Sequence, residues 1–147
     1  MLCPEPLALV SNPNHPLVGR LRVTDEDLAG STLLRAECHA SYQRRFEQLF
    51  HSTYATVRPR IHDLDSVDTV KQSVLDGLGI ALLPEVAVEA ELSEGRLRHL
   101  SWRCPFTVAT QFGFSRDRTS DAMLNALLIA SRQVIGEQVT HRRRLAS

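Results

Sequence analysis

The sequence has no excess charge of either sign: 17 Lys and Arg stand against 17 Asp and Glu. A chain that binds nucleic acid through phosphate neutralisation carries a basic surplus, so this composition argues against direct DNA contact by these residues. Cysteine is scarce. Cys3, Cys38 and Cys104 are odd in number, far apart and free of any CxxC spacing, which suits reduced thiols better than a disulfide framework or a zinc site. Neither HExxH nor any comparable ligand spacing is found among the six histidines, so no metal is expected. Long apolar runs are also missing. The segment Met1 to Pro16 has too short an apolar stretch for a signal peptide, and nothing later approaches a membrane span. These absences point to a soluble, cytoplasmic domain with reduced thiols.

The composition that remains is that of a packed domain, with 43% hydrophobic and 23% charged residues in 147. Pro6 to Ser11 reads as a strand closed by the turn-forming Asn12-Pro13-Asn14-His15-Pro16. Thr24 to Gly30 reads as one helical turn, with Thr24 as cap and Asp27 three residues on. Thr32 to Ala36 is a short strand. Tyr42, Phe46, Leu49 and Phe50 share one face of a helix from Ser41 to about Tyr54. Val57 to Leu64 reads as a strand, with Pro59 at its start or on an edge.

Ser66 is placed to cap a helix running to Leu78, with Val67, Val70, Val74, Leu75 and Leu78 as its buried stripe. Gly77-Leu78-Gly79 breaks that helix before the apolar strand Ile80 to Leu83. Pro84 then opens a helix from Glu85 to Leu92, which Gly95 stops. Leu97 to Trp102 and Phe106 to Phe114 read as strands. Ser120 opens a last helix to about Gly136, with Leu124, Leu127, Leu128, Ser131, Val134 and Ile135 on one side; His141 to Arg144 reads as a solvated tail. Alternating strands and helices predict an α/β fold with a mainly parallel sheet flanked by helices.

Two tempting motifs resolve into packing. Gly77-Leu78-Gly79 follows a helix and precedes a strand, the reverse of a phosphate-binding loop. Cys38 and His39 are neighbours on an extended segment, so their side chains diverge, and no acidic group orients the imidazole. By contrast, Ser41 and Ser66 each begin a helix just after a strand. Both N-termini should open at the carboxyl edge of one sheet, where α/β folds bind ligands and where free amides favour an anion.

Three stretches resemble the effector-binding domain of LysR-type transcriptional regulators. Asp68 to Leu92 followed by Glu94-Gly95-Arg96-Leu97 is similar to that family's helix, glycine break, apolar strand, proline and helix, ending in a G-R-L turn. Glu5 to Leu17 resembles its strand crossing between two regulatory subdomains, and Ser41 to Glu47 its first helix of the second subdomain. The likeness runs from Pro4 to Gly136. It departs at His39-Ala40 and Gln43, where the family often has Gly-Cys and Arg.

The resemblance implies a periplasmic-binding-protein-like subdomain at residues 1–117 and a return helix with a basic tail at 118–147. It implies a small-molecule effector, a carboxylate or other anion, lined by His39, Ala40, Ser41, Ser66, Val67, Asp68 and Pro84. No cofactor, no catalysis and a homodimer are expected. The DNA-binding part and most of the first subdomain would lie before residue 1. The competing classes are a stand-alone solute sensor of related fold and a small α/β enzyme using Cys38 or His39; the enzyme ranks last for want of a convergent acid, base and nucleophile.

Overall fold

A computed structural model of the chain describes residues 3–36, 40–53, 58–111 and 122–145. They fall into two compact units, one spanning Pro6–Phe106 and the other combining the N-terminal residues to Glu5 with those from Thr107 onward.

The larger unit is built on five strands. β2 (Leu7–Ser11) runs antiparallel to β5 (Ala81–Pro84) and to β6 (Arg98–His99). β3 (Thr32–Arg35) pairs parallel with β4 (Arg60–Asp63), in register Arg35 to Asp63. A parallel bridge from Leu33 to Ile80 joins β3 to the start of β5, with Leu34 N–H donating to Ile80 O at 2.8 Å and Ile80 N–H to Thr32 O at 2.9 Å. The order across the unit is β6, β2, β5, β3, β4, and β2 alone opposes the common direction. The α/β expectation therefore holds, but the sheet is mixed: β3 and β4 pair in parallel, whereas β2 runs antiparallel to both of its neighbours because it crosses back between β5 and β6. The strand read over Leu97 to Trp102 is shorter than its pattern suggested, two residues long.

Alternation along the strands sends side chains to two helical layers. Ala8, Val10, Leu34, Ala81 and Leu83 pack with Val70, Val74 and Val88 of α3 (Val67–Leu75) and α4 (Glu85–Ser93). Leu9, Leu33 and Leu82, equally buried, occupy the alternate positions, whose face is that of α1 (Asp25–Ala29) and α2 (Ser41–Thr53). Phe46 and Phe50 of α2 meet edge to face at 5.4 Å, and Phe46 meets Trp102 the same way at 5.2 Å. Each buried aliphatic side chain contributes roughly 1.5–3 kcal/mol.

Local chemistry sets the ends of these helices. Thr24 and Asp27 form the reciprocal capping box read from sequence, and Ser66 caps α3 by accepting from Thr69 N–H at 3.1 Å. The stripe on α3 is shorter than expected. Leu78 lies outside it, 63% exposed, because the helix ends at Leu75. Leu78 N–H bonds back to Ser73 O and Gly77 N–H to Val74 O, both at 3.0 Å, with Gly77 at φ +79°. That left-handed turn is what Gly77 permits. Gly79 is needed for a different reason: a Cβ there would sit 2.5 Å from Thr32 O, where β5 closes on β3.

The smaller unit holds β1 (Cys3–Glu5) antiparallel to β7 (Val108–Thr110), with α5 (Ala122–Leu145) against β1. Gly136 does not stop α5, which continues through the basic run to Leu145. The expected apolar stripe is only half covered: Leu124, Leu128 and Ile135 are half-buried, whereas Leu127 and Val134 are more than half exposed. Among the described residues no helix is long and apolar enough to cross a membrane.

Candidate functional site

Three parallel strand ends define one edge of the larger unit. β3, β4 and β5 share a direction, and each leads into a helix: α2, α3 and α4 respectively. Their N-termini therefore lie along the carboxyl edge, as strand and helix order predicted.

The seven expected residues distribute as follows. His39 lies outside the described residues. Ala40, half-buried, occupies the cap position of α2, since its carbonyl accepts from Arg44 N–H at 3.2 Å; Ser41 is the first helical residue, not the cap, and is exposed. Ser66 caps α3, with its hydroxyl also 2.9 Å from Thr69 Oγ1. Val67 is half-buried and packs on the core, while the Asp68 side chain is 93% exposed, 3.8 Å from Lys71 Nζ. Pro84 ends β5 and stands at the cap of α4 with no side chain to cap it; the first amide of that helix, Glu85 N–H, is taken by Pro6 O at 2.9 Å.

The helix starts thus differ in what they offer. In α3, Ser66 satisfies Thr69 N–H, and the amides of Val67 and Asp68 find no acceptor among the described residues. Those two N–H groups, at the positive end of the helix dipole, can receive an anion. Asp68 works against it, since its carboxylate stands at the same turn.

Two further residues shape this edge and were not among the seven expected. Gln43, at the position where the chain departs from the family pattern, is buried and donates from Nε2 to Leu82 O at 3.1 Å, tying α2 to β5. Arg35, the last residue of β3, forks onto Asp63 (Nε to Oδ1 2.5 Å, Nη2 to Oδ2 3.0 Å) and reaches Glu47 Oε2 at 2.9 Å. The guanidinium holds the Asp63 carboxyl below the usual carboxylate range, and Asp63 in turn holds Arg35 above its ordinary value. Neither carries a periodicity signal, because a lone polar residue at a strand end or on a helix face has none until its partner is known.

A separate open groove of about 670 Å³ lies elsewhere on this unit, lined by Arg22 to Glu26 and Trp102 to Pro105. None of the six described site residues borders it. Its Cys104 thiol is pushed up by burial, so it stays protonated, and it donates to Phe106 O at 3.2 Å. Among the described residues no cluster of His, Cys, Asp or Glu could hold a metal ion.

This arrangement, an α/β unit with helix N-termini gathered at one sheet edge, is the architecture of LysR effector-binding domains. The chain belongs to the family of the LysR substrate binding domain, whose model matches residues 1–135. It is 33% identical over 132 residues to the uncharacterized HTH-type transcriptional regulator YwqM of Bacillus subtilis (strain 168), covering 90% of this chain and 44% of that protein. It is 36% identical over 97 residues to the HTH-type transcriptional regulator CbbR of Xanthobacter flavus, covering 65% of this chain and 29% of that protein. The chain thus spans less than half the length of these relatives. Its fold is similar to that of the CcmR regulatory domain of Synechocystis PCC6803 in complex with 2-PG, with a TM-score of 0.67 at 21% identity, covering 90% of this chain and 64% of that one.

Proposed function

We propose that this chain is the effector-binding part of a LysR-type transcriptional regulator, sensing a small anion at the carboxyl edge of its larger unit. The observation that carries the reading is the start of α3, where Ser66 occupies one amide and leaves those of Val67 and Asp68 to a ligand. Ala40, Ser41 and Pro84 border the same edge through α2 and α4; His39, expected there from sequence, lies outside the described residues. Relatives that are transcriptional regulators support the biological setting, as does a domain of like fold that binds 2-PG.

In the intact regulator, assembled as a homodimer in the cytoplasm, the ligand would act by binding one arrangement of the protein more tightly than another. The DNA contact belongs to other parts of the protein, in keeping with a net charge of zero here.

Thermal melting of this chain against 2-PG, inorganic phosphate and small carboxylates tests the reading. A ligand present at about 100 times its Kd should add about 2.7 kcal/mol of stability. The expected result is a concentration-dependent rise that Ser66→Ala weakens. An absence of any response, or a response untouched by Ser66→Ala, would count against the assigned edge.

A further inference from the structure

Past their last paired residues, β3 and β4 leave the sheet and turn into the helices that open at the carboxyl edge. Arg35 and Asp63 are the final register pair, and beyond them Leu64 N–H donates to Arg35 O at 2.8 Å. β4 has little else to hold it: of its four residues only Ile61 is half-buried, the other three being exposed. A short parallel pairing of this kind is weak by itself.

We propose that Arg35 is a positioning residue for this edge, its guanidinium setting the N-terminus of α3 against that of α2 by holding Asp63 and Glu47 at once. The proposal rests on the effector-site reading above and adds to it a residue that touches no ligand.

The geometry carries the argument. The two bonds to Asp63 form a fork, and a fork fixes the plane of the guanidinium. Once that plane is fixed, both N–H bonds of Nη1 are fixed within it, and Glu47 Oε2 accepts from Nη1 at 2.9 Å. Glu47 lies on α2, a turn and a half beyond Ser41, while Asp63 stands three residues before the Ser66 cap. One planar group thus joins β3, β4 and α2. Its own side chain is 14% exposed, against 59% for Asp63 and 35% for Glu47, so it is the shielded centre of the cluster. One guanidinium between two carboxylates leaves the cluster net negative. Arg35 is therefore not the counter-charge of a bound anion, and its influence passes through the backbone it holds.

Arg35→Lys keeps the charge and loses the fork. The probe is inorganic phosphate, titrated into this chain and followed by the NMR shifts of the Val67 and Asp68 amides at a temperature where every variant is fully folded. Arg35→Lys should raise the phosphate Kd about tenfold, as loss of an outer support does elsewhere. Asp63→Asn should do the same, and the double variant should be little worse than either single, because both break one fork. A fall in melting temperature with unchanged phosphate Kd in both variants would reduce the cluster to a structural brace and overturn the proposal, leaving the effector-site reading intact. If the wild-type amides themselves do not respond to phosphate, that reading and this one fall together. Should Arg35→Lys not fold, Asp63→Asn decides alone.

Discussion

The two units of the chain treat apolar residues in opposite ways. In Pro6–Phe106, Val70, Val74, Ile80, Leu83, Val88 and Leu97 are all fully buried, because helices cover both faces of the strands. In the smaller unit a two-stranded pairing and one helix leave Met123, Leu127, Ile129 and Val134 at least half exposed. A ribbon of two strands has too little surface to cover a helix of 24 residues. The contrast teaches that the same kind of apolar stripe, read with the same periodicity, stabilises only where a second layer exists to receive it.

The contrast can be broken most sharply by truncation. Leu83→Ala should cost about 2–5 kcal/mol in chemical denaturation, since it removes buried atoms from the layer against α3 and α4. Gly79→Ala should cost roughly 1–3 kcal/mol in the same measurement, because its methyl would press on Thr32 O and β5 would have to shift from β3. Ser66→Ala should cost about 1 kcal/mol by removing the α3 cap, with a loss of anion response beyond what the stability change explains. Leu127→Ser should leave stability within about 0.5 kcal/mol, at most about a quarter of the Leu83 effect. Sedimentation of that variant, if it dissociates more readily than the wild type, would identify the exposed α5 stripe as a contact between copies of this chain.

Acid pH sharpens the comparison within the larger unit. Asp63 is held low first by its hydrogen bonds from Arg35, so the unfolded chain binds a proton that the folded chain refuses. Its stabilisation is complete above the unfolded carboxylate value, about 4, and is lost as pH falls through the lower folded one. Solvent screening keeps it small at this exposed carboxylate. Glu91, held low first by Lys71, has the same sign. Melting curves of wild type and Asp63→Asn should differ near neutral pH and converge in acid.

Much of the larger unit was legible in the sequence. The Thr24 box, the Ser66 cap and the apolar run of β5 are local signals, settled within a few residues by backbone hydrogen bonding and side-chain spacing. The order of strands and helices alone implies that Ser41, Ser66 and Pro84 lie along one edge, because parallel strands must end on the same side. Local signals misled where two of them competed. Leu78 fits the stripe of α3, but Gly77 accepts a left-handed turn one residue earlier and carries it into solvent. Gly136 reads as a stop, yet nothing crowds the position and the helix continues.

The family, the α/β alternation and the capping chemistry at the start of α3 can all be read from residues close together in the chain. That Arg35 faces Asp63, 28 residues away, and Glu47, and that Gln43 reaches Leu82, 39 residues away, follows from packing in three dimensions. Such pairs join polar side chains of no shared period, and the register that brings them together exists only once the strands have paired.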